Sequence, residues 1–269
     1  NQCKPGSYHL TDKSSHGCLK CFCFGITDQC TSSRLYRTKE KLLFDGDSEG
    51  VVLTDSRGIQ TYNEHNFDFG KQGYLTHYEN DQGHEVKYWK LPQRFLGDKV
   101  TAYGGTFVSH LPFTGHGHPI NEPVIILKGN RITLVHKLKS GVHIRPNEPN
   151  VIEVETYESN YEHESGQPAS REDLMMVLAD LDHVLIRATH AYGQDSTSLG
   201  DVNWDIAVDR DTQGEFALEV EQCRCPPGYI GTSCEDCAPG YERSHQGPYL
   251  GTCIPAAPRA PTCSSGAVS

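Results

Sequence analysis

The cysteines are the residues of this chain whose type and spacing carry the most distinctive chemistry, because thiols at close spacing either form disulfides or bind zinc. The 269 residues contain 11 of them. Five lie within the first 30 residues and six within the last 47, and the 192 residues between Cys30 and Cys223 contain none. This distribution predicts one large cysteine-free domain between two small cysteine-rich pieces.

The small pieces bury too little apolar surface to fold without a covalent or metal staple. Zinc is one alternative, because Cys21-x-Cys23 and Cys234-x-x-Cys237 have ligand-like spacing. A zinc ribbon, however, needs paired C-x-x-C knuckles, and the C-terminal piece has a single one. We therefore favour disulfides, which persist in an oxidising compartment and predict a secreted protein.

The histidines raise a second metal hypothesis. His116-Gly-His118, with His77 and His84, are the densest groups. Gly and Pro neighbours predict an exposed loop around His116 and His118, where the two imidazoles either face solvent or bind a transition metal weakly. A zinc hydrolase is not indicated, because the chain lacks an H-E-x-x-H motif.

Nucleophilic and acid–base motifs are also missing from the sequence. There is no G-x-S-x-G motif. The paired carboxylates Asp180 with Asp182, and Asp209 with Asp211, are predicted to be surface or helix-cap residues. We therefore expect no enzyme activity.

Charge and hydropathy argue against two classes of partner. The 35 acidic and 24 basic residues give a formal charge of −11, whereas nucleic-acid binding requires a basic face. No apolar run reaches the roughly 20 residues of a membrane helix, so we expect no membrane insertion. The chain begins at Asn1 without a signal peptide, which predicts a fragment cut from a longer protein.

The cysteine-free stretch predicts mainly strands. Residues 51–54, 124–128, 131–136 and 151–155 are short, β-branched and bounded by Gly, Pro or Asn. Lys128-Gly-Asn-Arg131 predicts a hairpin turn between two of these strands. Several short strands with turn residues between them favour a β-sandwich of jelly-roll type.

One short α-helix is predicted after Ser170. Ser170 is a good N-cap with Asp173 three residues later, and Leu174, Val177, Leu178 and Leu181 recur at helical spacing. Residues 184–186 then predict a strand in the core. Tyr103-Gly-Gly105 predicts a strand in which small residues let another backbone approach.

The cysteine-rich pieces resemble a known family. Residues 223–241, CRCPPGYIGTSCEDCAPGY, resemble the second half of a laminin-type EGF-like module; residues 21–30 resemble its first half, and residues 3–18 the tail of a preceding module. A module split by a long insert is the signature of the laminin type IV domain. Residues 88–92, 95–100, 102–105, 166–174 and 185–189 are similar to the motifs of that insert. The resemblance covers roughly residues 1–253 and favours perlecan-type basement membrane proteoglycans over laminin chains.

The resemblance implies a domain plan and a disulfide pattern. Residues 1–20 would end one module, residues 21–30 with 223–253 would form the split module, residues 31–222 the type IV domain, and residues 254–269 a Pro/Ala/Ser-rich tail. The family's pairing implies the bridges Cys3–Cys18, Cys21–Cys30, Cys23–Cys223, Cys225–Cys234 and Cys237–Cys253, with Cys263 unpaired.

The implied function is structural. The resemblance implies a secreted segment of the basement membrane, a rod with a globular domain that contacts other matrix proteins or cell-surface receptors. No cofactor is expected apart from a structural calcium ion. Carboxylates suit this hard cation, and the candidate ligands are Asp45, Asp47, Glu49, Asp201 and Asp205.

A carbohydrate-binding module with a calcium-stabilised jelly roll is the alternative function. Such modules bind sugars on exposed aromatic rings, and Tyr74, Tyr78, Tyr88 and Trp89 are the candidates. Tyr88 and Trp89 lie in the family motif and are predicted to be core residues instead.

Overall fold

The computed structural model describes residues 2–9, 17–62, 67–79 and 84–260. Its strands are β1 (Ser7–Tyr8), β2 (Leu19–Lys20), β3 (Cys30–Ser32), β4 (Tyr36–Leu42), β5 (Val52–Thr54), β6 (Phe67–Asp68), β7 (Tyr74–Tyr78), β8 (Tyr88–Lys90), β9 (Thr106–His110), β10 (Phe113–Pro119), β11 (Ile125–Gly129), β12 (Ile132–His136), β13 (Val151–Glu155), β14 (Glu162–His163), β15 (Leu181–Arg187), β16 (Ala191–Val208), β17 (Glu221–Cys223), β18 (Tyr229–Ile230), β19 (Asp236–Cys237), β20 (Tyr241–Arg243) and β21 (Cys253–Pro255). The α-helix is α1 (Arg171–Ala179), and short 3₁₀ helices cover Cys23–Gly25, Gln93–Phe95, Val100–Ala102 and Glu158–Asn160.

Two antiparallel sheets form the large domain. The long strand β16 is the centre of the first sheet, with β7 and β4 along one edge and β10 and β9 along the other. Strand β13 lies outside β9, and β6 lies outside β7. The second sheet has the order β14-β12-β11-β15-β8-β5. The predicted β-sandwich is therefore confirmed.

The core lies between the two sheets and under the helix. Trp89 of β8 and Trp204 of β16 are the largest fully buried side chains, and both belong to one continuous apolar cluster with Tyr103 and Phe95. Burying an aromatic side chain of this size contributes on the order of 2–3 kcal/mol. None of the helices in the described part of the chain has the length and apolar content needed to cross a membrane.

The predicted helix is confirmed together with its cap, but it ends at Ala179, so Leu181 begins strand β15 instead of continuing the helix. Ser170 Oγ accepts a hydrogen bond from Asp173 N at 3.1 Å, and Asp173 Oδ2 accepts one from Ser170 N at 3.1 Å. Together they satisfy two backbone N–H groups at the helix start. Leu174, Met175 and the following Val177 and Leu178 are buried against the sandwich.

The hairpin predicted at residues 128–131 is also present. Gly129 pairs with Ile132, which leaves a two-residue turn of Asn130 and Arg131 with φ of 47° and 64°. Two positive φ values are the signature of a type I′ turn, whose twist matches that of the flanking strands.

The strand predicted at Tyr103-Gly-Gly105 is wrong. The 3₁₀ helix Val100–Ala102 runs into a turn, and β9 begins only at Thr106. Gly104 has φ of 79°, and a Cβ there would overlap the Glu219 side chain. The predicted close approach of another backbone occurs at Gly105, where a Cβ would lie 2.6 Å from Asp205 O, but Gly104 takes the left-handed conformation of a turn rather than of a strand.

Candidate functional site at the module junction

The insert begins and ends at one point, where a disulfide joins Cys23 to Cys223. Their Cα atoms lie 5.9 Å apart although 200 positions separate them in the sequence. The structure also contains the bridges Cys3–Cys18, Cys21–Cys30, Cys225–Cys234 and Cys237–Cys253. These are the five pairs that the resemblance implies, and Cys263 lies outside the described residues.

The two chain segments at this point also pair as strands. In the β3–β17 ladder Cys30 lies opposite Cys223, and Arg224 N donates to Gln29 O at 2.9 Å. The first and second halves of the module are therefore continuous through backbone hydrogen bonds as well as through the disulfide.

Glu221 holds the turn that carries Cys23. Its carboxylate is buried, with a side-chain exposure of 1%, and accepts hydrogen bonds from Phe22 N at 2.7 Å and Cys23 N at 2.8 Å. Cys23 and Phe24 have φ of 43° and 49°, in the left-handed region that non-glycine residues rarely adopt. The Glu221 carboxylate thus accepts hydrogen bonds from two backbone N–H groups of a turn whose left-handed conformation is otherwise unfavourable.

Arg171, at the first turn of α1, connects this turn to the preceding module. Its Nη2 donates to Tyr8 Oη at 2.9 Å and lies 3.4 Å from Glu221 Oε2, while Nη1 donates to the carbonyl oxygen of Lys20. The guanidinium also lies over the Tyr103 ring, 4.8 Å from its centroid. One side chain therefore joins the helix, the preceding module and the strand on which the insert ends.

Tyr8 completes the junction from the other side. Its hydroxyl donates to Glu219 O at 2.6 Å while accepting from Arg171, and burial raises the pKa of Tyr8. The phenol therefore stays neutral and able to donate. Phe22, whose N–H donates to Glu221, also packs its ring edge-on against Tyr249 of the EGF-like module, with centroids 4.8 Å apart.

Family models match two consecutive parts of the chain. Residues 88–221 match the model of laminin B (domain IV), and residues 211–264 match that of the laminin EGF domain. The chain therefore contains a laminin IV domain joined to a laminin EGF domain. The L4b domain of human laminin alpha-2 has the same fold, with a TM-score of 0.56 and 22% identity over 65% of this chain and 99% of that one.

Several relatives match almost the whole length of this chain. "Basement membrane proteoglycan" of Caenorhabditis elegans is 58% identical over 270 residues, which is 100% of this chain and 8% of that protein. "Basement membrane-specific heparan sulfate proteoglycan core protein" of Mus musculus is 40% identical over 94% of this chain and 7% of its own length. Laminin alpha subunits match at 31–36% identity. The chain spans 7–9% of the length of these relatives.

The structure gives the predicted calcium ligands of the laminin IV domain other partners. Glu49 Oε2 accepts from Leu43 N and Phe44 N at 2.7 and 2.8 Å, and its Oε1 lies 3.0 Å from Arg94 Nη2. The Asp47 carboxylate accepts from Glu49 N, and Asp45 is exposed.

The second group of candidate calcium ligands is also engaged. Asp205 pairs with Lys39 at 2.8 Å and accepts from Thr106 N at 3.0 Å, and Asp201 lies 3.2 Å from His110 Nε2. Within the described ranges, no three of the five candidates bring a carboxylate oxygen within 4.8 Å of one another. Calcium binding by these residues stays a prediction.

The histidines lie in different surroundings. His116 and His118 are exposed as predicted, but on the edge strand β10 rather than in a loop. The loop prediction failed because Gly115 and Gly117, with φ of 119° and 117°, let β10 stay against β16. His77 is instead buried 3.6 Å from Glu79, and His84 packs on Tyr192.

Two of the four aromatic candidates for sugar binding are core residues, as predicted. Tyr88 and Trp89 are 1% and 0% exposed. Tyr74 lies against Gly200, with Lys71 Nζ 4.1 Å from its ring centroid. Tyr78 is 50% exposed, and its hydroxyl donates to Asp68 at 3.2 Å.

The paired carboxylates lie on the surface, as predicted. Asp180, Asp182, Asp209 and Asp211 are all exposed, and Asp180 is also the C-cap of α1. The junction residues Arg171, Glu221 and Tyr8 were missed by sequence reasoning. Arg171 lies in the 166–174 motif and Tyr8 in the 3–18 segment, but the sequence does not indicate their partners, because these contacts cross 50 to 211 positions of chain.

Proposed function

We propose that this chain is a structural segment of a secreted basement membrane protein, in which the laminin IV domain is held at the side of a continuous rod of laminin EGF modules. The names of its relatives, a basement membrane proteoglycan and laminin alpha subunits, support this setting. The observation that carries the proposal is the Cys23–Cys223 bridge, with 5.9 Å between Cα atoms.

The bridge defines how force would travel. A pull on the module passes from Cys23 to Cys223 through one covalent link, so it bypasses the insert between them. Closing a loop of 200 residues also stabilises the folded state by about 5 kcal/mol relative to the open chain.

The junction would fix the direction in which the globular domain points. Arg171 belongs to the helix and contacts the preceding module and the last strand of the insert, so rotation of the domain would break three hydrogen bonds, two of which are partly buried. Partners are other matrix proteins or cell-surface receptors that bind the domain in this fixed orientation. The chain acts as a scaffold rather than an enzyme, in keeping with relatives named as proteoglycan and laminin subunits.

Pulling on the two ends of single molecules tests the load path. In the oxidised chain, unfolding should release no length from the insert. A double Cys23→Ser, Cys223→Ser variant, which keeps the other four bridges, should release about 700 Å more, from about 200 residues at roughly 3.5 Å each. Reduction of the wild-type chain opens all five bridges and should release more than the double variant does. Release of that length by the oxidised wild-type chain would overturn the proposal.

A matched control is available in the same module. Removing Cys225 and Cys234 opens a loop of only 9 positions and should add about 30 Å. The difference between the lengths that the two variants release on unfolding gives the contribution of the insert.

Structural calcium is a further part of the proposal, and it rests on the carboxylate-rich sequence around Asp45 and Asp201. Calcium at about 1 mM, the range of extracellular modules, should raise the melting temperature relative to a chelator. Asp45→Asn with Asp201→Asn should abolish this rise, and an unchanged rise would exclude the two residues as ligands.

A further inference from the structure

Three carboxylates, one from the laminin IV domain and two from the EGF domain, lie close together. Asp98 lies in the loop that follows the 3₁₀ helix Gln93–Phe95 of the laminin IV domain, whereas Glu235 and Asp236 lie at β19 of the EGF domain. One carboxylate oxygen from each of the three lies within 4.8 Å of the others. They line a cavity of about 830 Å³ between the two domains.

Glu235 is the buried member of this acidic triad. The residue is 6% exposed, and its Oε2 accepts a hydrogen bond from Ser233 N at 2.9 Å. Gly231, with φ of 96°, packs directly on the carboxyl group, because a Cβ at this position would overlap it. The surrounding backbone is thus shaped to hold this carboxyl group.

Acidic and basic residues surround the triad. Asp180 at the end of α1, Arg131 of the β11–β12 turn, and Arg243 and His245 of the EGF domain line the same cavity. Arg243 donates to the carbonyl oxygens of Gly251 at 3.0 Å and Glu235 at 2.7 Å. Among the described residues, no ion pair within 4.0 Å reaches a triad carboxylate.

A buried carboxyl group beside like charges retains its proton to higher pH. Burial, followed by the hydrogen bond and charge of Asp98, raises the pKa of Glu235 to about 9. Burial and the Asp98 carboxylate also raise the pKa of Asp236, and they outweigh the opposite effect of the nearby Arg243 charge.

We propose that the protonated Glu235 carboxyl group donates a hydrogen bond to the Asp98 carboxylate and so acts as a proton-controlled latch between the laminin IV domain and the second half of the split module. At neutral pH the latch is closed by one shared proton. When that proton is lost, the carboxylates of Glu235, Asp98 and Asp236 repel one another and the contact opens.

Infrared difference spectroscopy of the full chain tests the proton directly. The spectrum of wild type minus Glu235→Gln at pH 7 should contain the carbonyl stretch of a protonated carboxylic acid, lost with a midpoint near pH 9. Asp98→Asn should move this midpoint downward, because it removes the neighbouring negative charge. Absence of the band at pH 7, or a midpoint near the ordinary Glu value of about 4.3, would overturn the proposal.

Hydrogen exchange tests the latch as a contact. After correction for intrinsic rates, amide protection around residues 228–245 should fall in the wild type as pH rises above about 9. It should stay constant in Glu235→Gln, whose amide can donate to Asp98 at every pH. Equal loss of protection in both proteins would overturn the proposal.

A bound cation is the competing explanation and has its own signature. Calcium at about 1 mM would remove the acid band at pH 7 and raise the melting temperature of wild type but not of Glu235→Gln. That result would replace the proton latch with a cation site. The latch is supported if calcium changes neither the acid band at pH 7 nor the difference in melting temperature between wild type and Glu235→Gln.

Discussion

Arg171 and Glu221 meet at the base of the laminin IV domain, with Nη2 and Oε2 3.4 Å apart and side chains only 12% and 1% exposed. The arginine begins the helix, and the glutamate lies two residues before Cys223. A buried pair of this kind is costly to break because the remaining charge loses its partner without regaining water.

We expect Arg171→Ala to lower the free energy of unfolding by about 3–5 kcal/mol, because it leaves Glu221 buried and unpaired. Denaturant unfolding of the oxidised chain measures this change. Arg57→Ala is the control, since Arg57 is 76% exposed and its pair with Asp55 should contribute less than about 1 kcal/mol. Similar losses in both variants would contradict a junction role for Arg171.

The helix cap should contribute separately from the junction. Ser170→Ala removes the acceptor for Asp173 N and should cost about 1 kcal/mol. Ser170→Thr preserves the oxygen and should recover most of that loss. Thermal unfolding of the two variants beside wild type checks the difference, and an equal loss in both would exclude the capping hydrogen bond as its cause.

Local patterns predicted part of the local structure of this chain, but they could not predict its long-range contacts. The Ser170 cap and the turn at Asn130 depend on residues a few positions apart, so the sequence alone identified both. The Arg171–Glu221 contact and the Asp98–Glu235 contact join segments 50 and 137 positions apart, and only the folded chain brings them together. The cysteine pattern is the exception, because a family resemblance supplied the pairing of Cys23 with Cys223.

Gly104 tests the corrected prediction for the Tyr103-Gly-Gly105 segment. We expect Gly104→Ala to cost roughly 3 kcal/mol, because it combines a positive φ with overlap of the Glu219 side chain. Gly141→Ala is the matched control: Gly141 has φ of 81°, close to the 79° of Gly104, but faces open space. Gly141→Ala should lower the free energy of unfolding by only about 1 kcal/mol, which is the cost of placing a Cβ on a residue with positive φ. Equal costs from denaturant unfolding would exclude the predicted steric overlap.

Glu79 should make the domain sensitive to acid. Its carboxylate lies 3.0 Å from both Lys87 Nζ and Gln194 Nε2, and 3.6 Å from His77 Nε2. Burial acts to raise the pKa of Glu79, but these three neighbours outweigh it and lower the pKa from 4.5 to about 2. Because the folded pKa lies below the unfolded value, this stabilisation is present above about pH 4.5 and is lost as pH falls towards 2.

We therefore expect wild type to lose about 3 kcal/mol of unfolding free energy from Glu79 between pH 5 and pH 2, the product of the shift and 1.36 kcal/mol per unit. Glu79→Gln should be less stable at pH 7 and should show a correspondingly shallower acid dependence. Glu153→Gln, at an exposed position of the edge strand β13, should retain the wild-type pH profile. Denaturant unfolding at a series of pH values measures all three, and parallel profiles for wild type and Glu79→Gln would show that the Glu79 network does not stabilise the folded state.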